Sequence, residues 1–267
     1  MSLQKTYIIC ATQRSGSTLL CHLLASTGKV GNPKEYLLPT YNSKVPFDEE
    51  NYLQYVRGNL EAYASENGVS GVKIMENNFS ELLERLRNCD EFGTKSNLEI
   101  LYDVFPGVQF IFMTRKNKVR QAVSLARAEQ SDRWEKHSSS TSSTASKKKF
   151  AITPFYIKSA INRAIEREEV WKKFFQENGI VPYTITYEEL VKAKSSHIHK
   201  ILEFLEISNA QATVVTSPTL KKQADFYTEF LIIYYRVYFL LKSLVPDTLW
   251  KLARHIKNQY FYKISRI

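Results

Sequence analysis

Cysteine is scarce in this sequence, and the spacing of the few cysteines is informative. The three cysteines, Cys10, Cys21 and Cys89, do not form the close pairs that structural metal sites use, and an odd number cannot all pair in disulfides. Reduced thiols of a cytosolic protein are the simplest explanation, so we expect a cytoplasmic location. Cys10 lies in an apolar stretch, which favours a packing role over a reactive one.

Long apolar runs are also lacking. No stretch reaches the roughly 18 uncharged apolar residues that a membrane-spanning helix requires, and the nearest, 230–241, is interrupted by Arg236. The first residues contain only a short apolar run that ends at Gln13 and Arg14, so we expect no secretory signal peptide. The five histidines show no ligand spacing, and we predict no metal site.

Acidic residues are outnumbered. The chain has 27 Asp and Glu against 37 Lys and Arg, which gives a formal net charge of +10 at pH 7. Such an excess favours anionic partners, namely a nucleotide, a nucleic acid or an acidic membrane surface.

The most informative segment is residues 7–20, YIICATQRSGSTLL. It is typical of a buried strand, a tight polar loop and the first turn of a helix, an arrangement whose backbone N–H groups and helix dipole bind phosphate. A Walker loop carries a Lys directly after its second glycine, whereas here no Lys follows Gly16 and the basic residue, Arg14, precedes it. The loop therefore suits a phosphate group outside a Mg²⁺-bound triphosphate. Its candidate binding residues are Gln13, Arg14, Ser15, Gly16, Ser17 and Thr18.

Strand and helix patterns alternate along most of the chain. Predicted strands cover 7–11, 69–75, 108–113 and 181–186. Predicted helices cover 17–27, 48–67, 79–87, 95–104, 117–136, 154–178 and 195–206. This alternation predicts an α/β fold, a P-loop-like three-layer sandwich with a central parallel sheet. Ligands of such sheets bind at the carboxyl ends of the strands, where both Arg14 and Arg115 fall.

A second phosphate site is predicted beyond the strand at 108–113. Arg115 follows this strand, and Ser124 lies nine residues further on, inside the predicted helix. An arginine fork beside a hydroxyl suits a phosphate monoester. Two phosphate sites on one α/β core point to a nucleotide phosphorylated at both its 5′ and 3′ ends.

Five segments in order resemble the bacterial trehalose 2-sulfotransferase type of carbohydrate sulfotransferase, over about residues 5–230. They are TQRSGSTLL at 12–20, NPKEY at 32–36, Arg115 with QAVS at 121–124, YEEL at 187–190 and KKQAD at 221–225. The resemblance implies transfer of the sulfuryl group of 3′-phosphoadenosine-5′-phosphosulfate (PAPS) to a hydroxyl of a carbohydrate or glycolipid acceptor, without a metal.

The resemblance also implies roles for individual residues. The loop at 12–18 would cradle the 5′-phosphosulfate, with Arg14 against the bridging oxygen. Arg115 and Ser124 would hold the 3′-phosphate, and Tyr187 would contact the adenine. Lys221 and Lys222 belong to the closing motif, where Lys222 replaces an arginine and, as a point charge, gives a weaker contact.

The catalytic residues implied by the resemblance are Glu35, Arg14 and Lys73. Glu35 matches the general base that removes the acceptor proton, provided that it lies within hydrogen-bond reach of the hydroxyl. Lys73, at the end of the strand at 69–75, is a candidate second cation near the transferred group. Relatives of this kind also suggest a homodimer.

We expect the sulfotransferase domain to cover 1–226, with a mobile loop at 137–149 that is rich in Ser and Lys. Residues 227–267 form a basic, aromatic helical extension with seven Lys or Arg against two acids. Packing on the domain or on a dimer partner explains such a segment, as does peripheral contact with an anionic membrane at its cytoplasmic face.

Two other functions remain open from the sequence. A P-loop-like nucleotide kinase fits the strand–loop–helix segment but lacks the Walker lysine. A non-catalytic protein that binds anions or nucleic acid fits the net charge, although it does not explain why the cations fall at strand ends. With the sulfotransferase hypothesis we expect no specific nucleic-acid partner.

Overall fold

The structure is a computed structural model that describes residues 3–37, 44–131, 152–207 and 226–246. Its four strands are β1 (Lys5–Ala11), β2 (Val69–Met75), β3 (Gln109–Thr114) and β4 (Tyr183–Thr186). The helices in these ranges are α1 (Ser17–Ala25), α2 (Tyr52–Ala62), α3 (Glu76–Arg87), α4 (Asn97–Val104), α5 (Lys118–Ser131), α6 (Pro154–Glu177), α7 (Tyr187–Lys192), α8 (Lys194–Phe204) and α9 (Phe226–Leu244). The predicted loop at 137–149 and both Lys221 and Lys222 lie outside the described residues.

The strands form one parallel sheet in the order β2-β1-β3-β4. The carboxyl ends of all four strands therefore lie at the same edge of the sheet. Since β2 lies on one side of β1 and β3 on the other, the order in which strands are added to the sheet reverses at β1. Open parallel sheets bind ligands at such a point. The predicted α/β sandwich with a central parallel sheet is confirmed.

Helices cover both faces of the sheet because the buried side chains of β1 alternate. Ile8 and Cys10 belong to a core shared with α2, α3, α4 and α6, while Tyr7 and Ile9 belong to a second core shared with α1, α7 and α8. This is the period of two that a strand buried on both faces requires. Burial also raises the pKa of the Cys10 thiol, in keeping with its predicted packing role.

A third apolar cluster joins α5, α6 and α9 outside the two main cores. Leu231, Ile232 and Tyr235 of α9 pack on α5 and α6 there, and Glu229 receives two hydrogen bonds from Arg120 at 2.7 and 2.6 Å. The first half of α9 is thus fixed against the helix that carries Ser124.

The bounds of two predicted helices were wrong by three residues or more. The helix predicted at 48–67 is only Tyr52–Ala62, because the Asp48 carboxylate accepts hydrogen bonds from the backbone N–H groups of Glu50 and Asn51 and holds them in a turn. The helix predicted at 79–87 begins at Glu76, directly after β2. Neither difference moves a candidate site residue off its strand end.

Candidate active site

The loop after β1 has the strained backbone of a ligand-binding turn. Arg14 has φ 60° and Gly16 has φ 99°, both in the left-handed region that side chains other than glycine disfavour. A Cβ atom on Gly16 would stand 2.4 Å from Cδ2 of Tyr187, so no side chain fits between this loop and α7. The turn leads into α1 at Ser17 and presents the N-terminal end of that helix at the edge of the sheet.

Three buried polar atoms around this loop have no hydrogen-bond partner among the residues that the structure describes. They are Ser15 Oγ, Arg115 Nε and Gln121 Oε1. Buried polar groups are nearly always paired, and each exception calls for an explanation. The Ser15 hydroxyl and the Arg115 Nε–H group can therefore donate hydrogen bonds to an anion that binds at this turn.

Arg115 is held at this edge by its neighbours. It is 8 % exposed, its Nη1 donates to the carbonyl oxygen of Arg14 at 3.1 Å, and its guanidinium lies 4.4 Å from the centroid of the Tyr187 ring. Glu188 Oε1 is 4.0 Å from its Nε. Burial lowers the pKa of Arg115, although a guanidinium remains protonated throughout the physiological range. The result is a desolvated cation with a fixed orientation.

Arg14 and Ser124 lie closer together than the sequence suggested. Arg14 Nε donates to Ser124 Oγ at 3.0 Å, and the Arg14 carbonyl accepts from Arg115. The two predicted phosphate sites are therefore neighbours, with Arg14 between them, because β1 and β3 are adjacent and their following loops meet.

The predicted base and the predicted second cation form an ion pair. Lys73 Nζ is 2.7 Å from Glu35 Oε1, with side-chain exposures of 6 and 17 %, and it also donates to Thr18 Oγ1 at 3.2 Å. A single parallel bridge between Lys34 and Val72 sets this geometry by laying the segment before Glu35 along the edge of β2. The structure thus brings Glu35 to Lys73, which itself contacts Thr18 of the loop.

Two residues of the site carried no sequence prediction. Gln121 Nε2 donates to Thr12 Oγ1 at 3.1 Å and to the Gln13 carbonyl at 2.8 Å, which fixes the loop on α5. Arg167 Nη1 donates to Gln13 Oε1 at 3.0 Å. Gln121 belongs to the QAVS segment at 121–124, but no individual role was predicted for it. Arg167 lies inside the long helix α6, where no sequence motif marks it.

The described part of the chain contains no cluster of His, Cys, Asp or Glu that could hold a metal ion. The same residues contain no helix long and apolar enough to cross a membrane. Cys10, Cys21 and Cys89 are free thiols.

Comparison with known proteins identifies the family of this site. The family model described as Stf0 sulphotransferase matches residues 6–237. The chain belongs to the Stf0 sulphotransferase family. The predicted resemblance is confirmed, and the family supports an enzyme that transfers a sulfuryl group.

Similar proteins and structures carry related names. This Stf0 chain is 26 % identical over 251 residues to the trehalose 2-sulfotransferase of Mycobacterium tuberculosis (strain Erdman), covering 83 % of this chain and 90 % of that protein. It is also 26 % identical over 250 residues to the trehalose 2-sulfotransferase of Mycolicibacterium smegmatis, with coverages of 82 and 90 %.

Two solved structures are also similar to this Stf0 chain. The sulfotransferase domain of the Synechococcus PCC 7002 olefin synthase has a TM-score of 0.40 at 14 % identity, covering 88 % of this chain and 96 % of that one. The sulfotransferase domain from the curacin biosynthetic pathway has a TM-score of 0.41 at 15 % identity, with coverages of 85 and 83 %. We draw no conclusion from either.

Proposed function

We propose that this protein transfers the sulfuryl group of PAPS to a hydroxyl of a carbohydrate or glycolipid acceptor. The observation that carries this proposal is that the buried Arg115 guanidinium has an Nε without a hydrogen-bond partner among the described residues, beside a phosphate-type turn whose Ser15 hydroxyl also lacks one. PAPS carries a phosphosulfate at the 5′ position and a phosphate at the 3′ position of its ribose. It would therefore supply one anion to the Ser15 turn and one to Arg115. The names of the mycobacterial relatives support a carbohydrate acceptor.

The donor would lie along the carboxyl edge of the sheet. Its 5′-phosphosulfate would bind the loop at 12–18 and the N-terminus of α1, and its 3′-phosphate would bind Arg115 and Ser124. The adenine would contact Tyr187, whose ring already stacks on Arg115. Lys221 and Lys222 are proposed to complete the 3′-phosphate contacts.

Transfer is proposed to be a single in-line displacement. The acceptor oxygen bonds to sulfur while the bond between sulfur and the 5′-phosphate oxygen breaks, and its electron pair stays on the departing nucleotide. The hydroxyl proton passes to Glu35. Lys73 holds Glu35 in place at 2.7 Å and, together with Arg14, offsets the charge that develops on the phosphate. As in phosphoryl transfer, positioning and charge stabilisation do most of the catalytic work.

Calorimetric titration with 3′-phosphoadenosine-5′-phosphate tests the donor assignment. AMP and ATP serve as controls, each with and without Mg²⁺. We expect binding that requires the 3′-phosphate, does not require Mg²⁺ and falls at least about 10-fold in Arg115→Ala, since a lost charge-assisted hydrogen bond costs this much or more. Preferential binding of Mg²⁺–ATP would instead support a nucleotide kinase, and no preference among the nucleotides would support a general anion-binding protein.

We further propose that α9 rests on an anionic membrane. Large apolar residues on its uncovered side are 49–89 % exposed and follow a spacing of four and three: Phe226, Phe230, Ile233, Val237, Leu240 and Leu244. The opposite side is fixed to α5 and α6. The segment 227–267 carries five more positive than negative charges, which complements acidic lipid headgroups.

Co-sedimentation with vesicles tests the membrane contact. The intact protein is expected to bind phosphatidylglycerol vesicles and not phosphatidylcholine vesicles, and Ile233→Glu combined with Leu240→Glu is expected to abolish binding. Val181→Glu, which changes an apolar residue that is 87 % exposed outside α9, is the matched control. If the intact protein ignores vesicles but sediments as a dimer that the double variant dissociates, the exposed side is a homodimer interface and the membrane proposal is wrong.

A further inference from the structure

A cleft lies beside the phosphate loop, between α5 and α6. It is narrow and open to solvent, and the described residues that line it include Thr12 and Gln13 from the loop, Gln121 and Leu125 from α5, and Arg163 and Arg167 from α6. Gln13 follows β1, and Arg167 reaches across to Glu76, the first residue after β2. The cleft is thus on the β1–β2 side of the site, away from the Arg115–Tyr187 pair on the β3–β4 side.

The charge of the cleft is positive and only partly neutralised. Arg167 is occupied, since its Nε is 3.3 Å from Glu76 Oε2 and its Nη1 donates to Gln13. Arg163, one turn earlier on the same face of α6, has no ion pair with any residue that the structure describes. Its contacts are the Ser159 hydroxyl at 3.3 Å and the ring of Tyr156, 5.8 Å away. None of the described residues that line the cleft is acidic.

Two further contacts define what a ligand would meet. Glu129, the acid nearest in the network, accepts a hydrogen bond from the Tyr156 hydroxyl, keeps its negative charge and makes no ion pair with Arg163. On the opposite wall Gln121 is 1 % exposed, and its Oε1 has no hydrogen-bond partner. Its amide orientation is fixed because Nε2 donates to the Gln13 carbonyl. The cleft therefore offers one acceptor atom for a hydroxyl and one guanidinium for an anion.

We propose that this cleft binds the acceptor, and that Arg163 recognises an anionic substituent on it. The class is an acidic saccharide, in which a carboxylate, a phosphate ester or an existing sulfate ester binds Arg163 while a hydroxyl donates to Gln121. An arginine fork suits each of these planar or tetrahedral anions. The inference rests on the proposed sulfuryl transfer and names the substrate class of that same site.

Matched acceptors test this specificity. Methyl glucuronide, methyl glucoside 6-phosphate and methyl glucoside 6-sulfate are compared with neutral methyl glucoside, with kcat/KM as the measure. We expect an anionic-to-neutral ratio of about 10 to 100, the discrimination that one charge-assisted hydrogen bond supplies. Arg163→Gln is expected to bring this ratio close to one. Lys158→Gln removes the same charge from an exposed position on α6 and should leave the ratio unchanged.

A binding measurement separates failure of this inference from failure of the proposed function. Methyl glucuronide is titrated calorimetrically into the protein saturated with 3′-phosphoadenosine-5′-phosphate, and binding is expected to weaken in Arg163→Gln. Nucleotide binding with no preference for the anionic sugar overturns the acceptor inference alone. So does an Arg163→Gln variant that weakens nucleotide binding instead, because Arg163 then belongs to the donor site. If the nucleotide itself does not bind, both proposals are wrong.

Discussion

Position 16 requires glycine for two separate reasons. Its φ of 99° disfavours any side chain, and a Cβ there would stand 2.4 Å from the Tyr187 ring. We therefore expect Gly16→Ala to push the loop away from Tyr187 and to weaken binding of 3′-phosphoadenosine-5′-phosphate by at least about 10-fold, since charge-assisted hydrogen bonds from the loop to the phosphate are lost. Calorimetry measures this loss.

Gly28 provides the matched control for backbone strain. Its φ is 67°, and a Cβ there would meet nothing within 4 Å. Gly28→Ala should lower the free energy of unfolding by about 1 kcal/mol, the cost of placing a side chain in the left-handed region, and leave nucleotide affinity intact. Equal loss of affinity in both variants would mean that strain alone, and not the contact with Tyr187, explains the effect at Gly16.

Glu35 is expected to act on the reaction and not on donor binding. Replacing it by Gln keeps the shape of the side chain and removes the base, so kcat should fall by ~10²–10⁴-fold. Binding of 3′-phosphoadenosine-5′-phosphate should change little, as calorimetry on the same variant would show. The control is Glu66→Gln, an exposed acid outside the site. A parallel fall in nucleotide affinity would instead assign Glu35 the role of positioning Lys73 for the donor.

At the scale of elements, the start of α7 couples a helix cap to the proposed donor site. Thr186 and Glu189 form a capping box, and hydrogen bonds from Lys116 and Thr186 lower the pKa of Glu189 to about 2, so the carboxylate stays charged at neutral pH. Tyr187 and Glu188 lie within this first turn and contact Arg115. Thr186→Ala should therefore cost about 1 kcal/mol of stability and also weaken nucleotide binding.

A matched substitution in the capping box of α4 separates the loss of stability from the loss of nucleotide affinity. Ser96 and Glu99 form the same pair of hydrogen bonds there, with no contact to the phosphate loop. Ser96→Ala is expected to lower the free energy of unfolding, measured by urea denaturation, by a similar amount, about 1 kcal/mol, with nucleotide affinity unchanged. If both variants retain full affinity, the cap of α7 stabilises the fold without positioning Tyr187.

The elements also show where sequence patterns are sufficient and where they are not. Each strand was predicted within two residues, because apolar runs followed by polar residues report local burial, and the strand ends placed Arg14 and Arg115 at one edge. The Arg14–Ser124 contact and the bridge that brings Glu35 to Lys73 depend on strand order. The role of Arg167 depends on how α6 crosses the sheet. These three features depend on contacts between residues far apart in the sequence, so no local sequence pattern predicts them.

At the scale of the whole molecule, the net charge of +10 and the proposed donor site predict different responses to salt. Binding of a single-stranded oligonucleotide releases condensed counterions, so its affinity should fall roughly 1,000-fold between about 50 and 200 mM NaCl. A small nucleotide has no such counterion layer, and Arg115 is buried from solvent ions. We therefore expect the affinity for 3′-phosphoadenosine-5′-phosphate to fall only several-fold over the same range, as measured by calorimetry at each salt concentration. Equally steep slopes would mean that both ligands bind a diffuse basic surface, and the non-catalytic anion-binding hypothesis would then replace the proposed sulfuryl transfer from PAPS.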